Sequence, residues 1–208
     1  MNGATLEAIG RIEVDDQGGT DIAHLPIAGT RAPQDDSRGY WAGRSNDRIY
    51  LMAVLFASFY CRRKETVADV GCHCSPLVLM LPDFQRRFAF DPSVAAAKAW
   101  EGVDGATFVN SALSEGMVRP LIGDSKFDLV MCNQVIEHMD DPETFAIMLC
   151  NVSRRLILST TFETQAGVIS DHVQDPISLK KFESWFPRKM LQCFISRGPT
   201  VHKILAVF

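Results

Sequence analysis

Three short stretches hold most of the residues in this chain whose types and spacing could do chemistry. Residues 67–75, VADVGCHCS, set Asp69 and Gly71 ahead of a Cys72–His73–Cys74 run. Residues 125–142, SKFDLVMCNQVIEHMDDP, place Asn133, Gln134 and a Glu137–His138 pair between an apolar run and Asp141-Pro142. Residues 169–176, ISDHVQDP, add His172. Two chemistries compete for the first stretch, a metal cluster and a nucleotide cradle. A structural zinc site needs four ligands in a pattern such as paired C-x-x-C units, which is absent. Adjacent side chains at an extended strand end also point to opposite faces, so the trio is expected to hold no metal. The cradle reading needs an acid at the end of the next strand. Asp91, in RFAFDPS, stands twenty residues after Gly71, the offset at which a carboxylate accepts hydrogen bonds from ribose hydroxyls. Imidazole titrates near neutral pH, which makes His172 the first candidate for a general base.

These residues have to be positioned by regular elements, and the apolar pattern supplies them from about Trp41 onward. It predicts a helix at about 46–61, a strand VADVG, a short helix after Ser75, a strand RFAFD and a helix SVAAAKAW ended by Gly102. TFVNS, FDLVMCN and RLILSTT read as three further strands, with a helix DPETFAIMLCNVS opened by Asp141 and Pro142. Strands alternating with helices indicate a parallel sheet covered on both faces. After a helix SLKKFESWF, the runs KMLQCFISRG and TVHKILAVF read as a closing antiparallel hairpin. In such sheets a ligand sits beyond the carboxyl ends of the strands, where the strand order reverses.

Bulk properties bound the rest. The 208 residues, 47% hydrophobic and 22% charged, fit a single ordinary globular domain. Residues 1–40, rich in Gly, Asp, Pro and Gln, read as a partly ordered lead-in, leaving 41–208 as the domain. A net charge of -4 argues against a nucleic-acid partner. The run IYLMAVLFASFY at 49–60 is too short for a transmembrane segment, which needs about 20 apolar residues. No secretory signal is visible, and six cysteines set mostly in apolar runs read as reduced and buried, so a cytoplasmic location is expected. Trp100 and Trp185 sit at helical spacing with apolar neighbours and are expected in the core.

At VADVGC, FAFDPS and FDLV…IEHMDDP the chain resembles the class I S-adenosylmethionine-dependent methyltransferases, over roughly residues 45–208 in element order. The resemblance implies a Rossmann-like α/β fold with a seven-stranded sheet, mostly parallel with a C-terminal antiparallel hairpin. It also implies S-adenosyl-L-methionine as cofactor and methyl transfer to a small-molecule or glycan hydroxyl. The cofactor-binding residues it implies are Arg44, Asp69, Gly71, His73, Asp91, Pro92, Ser111, Asn133 and Gln134, with His172 and His138 catalytic. The family's first motif usually reads D/E-x-G-x-G-x-G; here only Asp69 and Gly71 match, and His73 and Ser75 take the other glycine places. The His73 side chain is expected to point away from the cofactor. In the GYWAGRSNDR segment, Tyr40 and Trp41 would close over the ligand and Arg44 would pair with the methionine carboxylate. Some relatives, the small-RNA 2′-O-methyltransferases, hold a divalent cation with E-x-x-E-H and a later histidine. This chain has Q-x-x-E-H, with Gln134 in the first carboxylate place, so no metal is expected. The eroded glycine motif keeps a second reading open, an inactive methyltransferase-like scaffold. A nicotinamide dehydrogenase is disfavoured by the missing glycines of G-x-G-x-x-G.

Overall fold

The computed structural model describes residues 10–15, 33–34, 39, 41, 47–198 and 200–208. Eight strands form one sheet: β1 (Gly10–Asp15), β2 (Thr66–Val70), β3 (Arg86–Phe90), β4 (Thr107–Val109), β5 (Phe127–Asn133), β6 (Ser153–Phe162), β7 (Gln192–Arg197) and β8 (His202–Val207). Their order is β1-β7-β8-β6-β5-β2-β3-β4. Only β8 runs antiparallel, to both β6 and β7; every other pairing is parallel. The seven strands β2–β8 are the expected mostly parallel sheet with its closing hairpin. The lead-in adds β1 as an eighth strand, which pairs along its length with β7.

The chain winds outward through β2, β3 and β4, then returns to pair β5 on the other side of β2. The order therefore reverses between β2 and β5, and the crevice at that switch point lies beyond Val70 and Asn133.

The strands alternate sides of the sheet. Ala68, Val70, Val130 and Cys132 enter one apolar layer with Leu149, Phe182, Trp185 and Phe208. Val67, Leu129 and Met131 enter the other with Ile49, Phe56, Leu77 and Trp100. Burial on both faces is why these strands read as nearly continuous apolar runs. Helix α1 (Arg48–Tyr60) begins where the Asp47 carboxylate accepts the Ile49 N–H at 3.1 Å, and it packs Ile49, Ala53 and Phe56 inward. It is the core helix expected of IYLMAVLFASFY, and no helix among the described residues is long and apolar enough to cross a membrane. Helices α2 (Val94–Ala99), α4 (Pro142–Val152) and α5 (Leu179–Ser184) fall where the pattern puts them, capped by Ser93, Asp141 and Ser178. The helix expected after Ser75 is a single 3-10 turn, Leu77–Met80. Helix α3 (Glu115–Ile122) has no counterpart in the sequence reading, because Gly116 and Pro120 interrupt its pattern; Val118 and Ile122 bury it nonetheless. All six cysteines are free and buried.

Candidate functional site

The turn after β2 is built by its neighbours. Gly71 has φ +74°, and a Cβ there would lie 2.3 Å from Val135 Cγ2. The space beside this glycine is thus filled by Val135, so the residue is required by packing as well as by its backbone conformation. His73 also has positive φ, 44°. Three hydrogen bonds hold it there. Its N–H donates to Asp91 Oδ2 at 2.9 Å, its carbonyl accepts the Trp100 indole N–H at 2.6 Å, and its ring Nδ1 lies 3.2 Å from Cys74 Sγ. The other Asp91 oxygen accepts the Ser93 N–H at 2.9 Å. Asp91 therefore clamps the ends of β2 and β3 together. It is 8% exposed. Cys72 and Cys74 are buried, and burial pushes the Cys72 thiol well above its ordinary value.

Trp41, Tyr50, Asp69, Gly71, Cys72, Ser75, Leu77 and Asn133 line a narrow cleft of about 10 Å³ at the switch point. His73 is absent from that lining. Asp69 is buried at its base, and its Oδ2 has no hydrogen-bond partner among the described residues. Burial, and secondarily the Asp91 charge, raises its pKa to about 7. A buried, unpaired carboxylate fits a ligand that brings a cationic group, such as the ammonium of a methionine moiety. Trp41 packs on Tyr50 with ring centroids 5.4 Å apart, and both rings line the cleft.

Asn133 and Gln134 sit at the end of β5 and face two different spaces. Asn133 lines the cleft, with its Oδ1 accepting the Ser159 hydroxyl at 2.9 Å. Gln134, at φ +57°, lines a second cavity of about 350 Å³ with Glu137, His138, Thr161, Asp171, His172, Lys203 and Asp47. His138 and His172, 34 residues apart in sequence, meet there edge to face with ring centroids 4.8 Å apart. His172 Nδ1 is 2.8 Å from Asp175 Oδ2, and Asp175 Oδ1 accepts the Thr161 hydroxyl at 2.8 Å. His138 Nδ1 is 3.0 Å from the Asp171 carbonyl. Glu137 is fully buried, and burial raises its pKa. An ion pair between Lys203 and Asp47 closes one wall.

The structure thus brings Asp69, Gly71 and Asn133 to one cleft and Gln134, His138 and His172 to a second cavity, while Asp91, like His73, is absent from the cleft lining and binds the turn after β2. Pro92 is exposed beside Asp91, while Ser111 is half-buried with its hydroxyl donating to the Ala112 carbonyl at 3.2 Å. Tyr40 and Arg44 lie outside the described residues. Sequence reading missed Asp175, Thr161 and Thr160, whose hydroxyl donates to Glu137 Oε2 at 3.0 Å. The D-H-x-x-D spacing of Asp171, His172 and Asp175 was the signal that a carboxylate could orient the imidazole.

No protein-family model matches the sequence, and no curated protein matches it. Solved structures do share the fold. The plantazolicin methyltransferase BpumL, in complex with S-adenosylhomocysteine, superposes with a TM-score of 0.60 at 13% identity, over 82% of this chain and 88% of that one. A S-adenosylmethionine-dependent methyltransferase from Clostridium acetobutylicum gives 0.58 at 12% identity, over 83% and 98%. The N-methyltransferase NodS from Bradyrhizobium japonicum, with S-adenosylhomocysteine, gives 0.57 at 14%, over 78% and 86%. The fold of this chain is that of the class I S-adenosylmethionine-dependent methyltransferases.

Proposed function

We propose that the chain is a methyltransferase that uses S-adenosyl-L-methionine and methylates a hydroxyl of a small polar acceptor. One observation carries this reading. Two consecutive residues at the switch point, Asn133 and Gln134, divide a cleft ending in a buried acid from a polar cavity with two histidines. A cofactor whose adenosyl end lies at Asp91 and whose methionine end lies at Asp69 would have its sulfur near that divide. When bound, the cofactor supplies an electrophilic methyl on a sulfonium.

The chain's own groups do the rest. Asp69 would take the ammonium, Asp91 the ribose hydroxyls, and Trp41 would shift outward to admit the ligand and shield it from water. In the cavity, Gln134, Asp171 and the Lys203–Asp47 pair offer hydrogen bonds to a hydroxylated acceptor of modest size. Methyl transfer is an in-line displacement, so alignment supplies much of the acceleration and the acceptor proton has to be lost. The Glu137–His138–His172 side of the cavity serves that second need.

Calorimetric titration with S-adenosylmethionine, S-adenosylhomocysteine and NAD tests the reading. Binding of the first two with no heat from NAD is expected. Binding of NAD alone, or of none of the three, would refute it.

A further inference from the structure

The edge of the sheet opposite the crevice, where the parallel strands begin, carries a cavity of about 170 Å³ lined by Arg62, Arg63, Arg154 and Arg155, with Asp128 and Tyr60. Two distant parts of the chain supply these arginines. Arg62 and Arg63 lie between α1 and β2, and Arg154 and Arg155 belong to the first turn of chain in β6, so their guanidiniums meet at the entry to β2, β5 and β6. Like charges around one cavity repel, so they need anionic groups to balance them.

Asp128 supplies part of that balance and fixes two of the arginines. It is 3% exposed, and its Oδ1 lies 3.4 Å from Arg63 Nε and 3.5 Å from Arg154 Nε. Its Oδ2 accepts the Glu65 and Thr66 N–H groups at 3.0 and 3.1 Å. A buried acid anchored to the backbone therefore holds both guanidiniums in place. Glu65 accepts from Arg63 at 2.6 Å on the exposed side. Arg62 and Arg155 have no carboxylate partner among the described residues. Nearby charges do not supply one. Lys64 is already paired with Asp83 at 2.8 Å, and Arg188, which donates to the Cys150 and Ser153 carbonyls, adds a further positive charge at the foot of β6.

We infer that this cavity binds a phosphate monoester group. Four guanidinium charges set against the carboxylates of Asp128 and Glu65 leave an excess of two. A phosphate monoester carries about −1.5 to −2 at neutral pH and matches it. Guanidinium is also the side chain that engages phosphate oxygens two at a time, and Arg62 and Arg155 are the pair available to do so. The Tyr60 hydroxyl already donates to Gln192 at 3.3 Å, so recognition falls to the arginines. The site lies at the other end of the strands from Asp69 and Asn133 and does not rest on the methyltransferase reading. On α1, the helix that leads into Arg62, Phe59 is 79% exposed and Leu55, one turn before it, 40% exposed. A soluble phosphate monoester and the headgroup of a phospholipid present the same group here, and experiment separates the two sources.

The test titrates the full chain with glycerol 3-phosphate and with the diester glycerophosphocholine by calorimetry. In parallel, the chain is sedimented with phosphatidylcholine vesicles with and without phosphatidate. One equivalent of glycerol 3-phosphate per chain is expected, held at least tenfold more tightly than the diester. Arg155→Gln and Arg62→Gln should each lower affinity about tenfold, as expected for losing a hydrogen bond to a charged group. Arg62 is exposed, so its variant tests the site even where Arg155→Gln does not fold. Binding of glycerol 3-phosphate that weakens in these variants upholds the site with a soluble source. Sedimentation with phosphatidate vesicles alone, weakened in the same variants, upholds it with a lipid source. Binding of neither, affinity unchanged in the folded variants, or a diester held as tightly as the monoester would overturn it.

Discussion

Asp69 makes cofactor affinity depend on pH in a way that can be worked out from its surroundings. Its pKa stands at about 7, raised first by burial and then by the Asp91 charge. A ligand that sets an ammonium against it requires the ionised form, so binding below pH 7 expels a proton. If Asp69 is the only group coupled, the apparent association constant scales with its ionised fraction. That fraction is one half at pH 7 and about one hundredth at pH 5, a drop of roughly 50-fold in affinity, about 2.3 kcal/mol. An α-amino group stays charged across that range, so the ligand's own titration does not blur the effect. At pH 6, about 0.9 proton should be released per ligand bound, which calorimetry in buffers of different ionisation enthalpy reads directly. Asp69→Asn should flatten both measurements. Affinity that is flat from pH 5 to 7 in the wild type, or proton release that survives in Asp69→Asn, would refute the assignment of the ammonium to Asp69. The free protein gives a second check, with the sign fixed by linkage. Because the folded pKa lies above the unfolded one, stability is highest below about pH 4 as far as this group is concerned, falls as pH rises toward 7, and is level beyond it.

Other consequences are more local. Gly71→Ala forces both a positive φ and a contact with Val135, and should cost about 2–4 kcal/mol in urea unfolding; adding Val135→Ala should recover the steric share, and no recovery would contradict the packing argument. Asp128→Ala leaves the N–H groups of Glu65 and Thr66 without their buried acceptor and should cost about 2–4 kcal/mol by the same measurement, whereas a change under about 0.5 kcal/mol would show that water replaces it. Cofactor binding should change tryptophan emission, and Trp41→Phe should remove most of the change, because Trp41 lines the cleft whereas Trp100 and Trp185 do not; a signal that persists in full in that variant would mean Trp41 does not move.

Much of the sheet was legible because a strand buried on both faces leaves an unbroken apolar run, as FDLVMCN shows, and because Asp141-Pro142 is a helix start with a mechanism. Helix α3 was not, since Gly116 and Pro120 outweigh in local pattern what Val118 and Ile122 gain by tertiary burial. Strand β1 was hidden for a different reason. An edge strand with one neighbour needs no apolar run, and GRIEVD alternates over too few residues to stand out. Asp91 was singled out by its offset from Gly71, but the task the structure shows for it, accepting the His73 and Ser93 N–H groups, is a tertiary fact that spacing does not carry. The His138–His172 contact depends on the loop after β6 folding back over Glu137, which no pattern in either segment announces.

The account turns on where a ligand lies relative to Asn133 and Gln134, and a crystal structure of the chain with S-adenosylhomocysteine measures that directly. The account predicts ribose hydroxyls on Asp91, the amino group on Asp69, Trp41 moved outward, and the thioether sulfur turned toward the cavity that holds His138 and His172. Ligand density elsewhere on the sheet, or a sulfur facing away from that cavity, would contradict it.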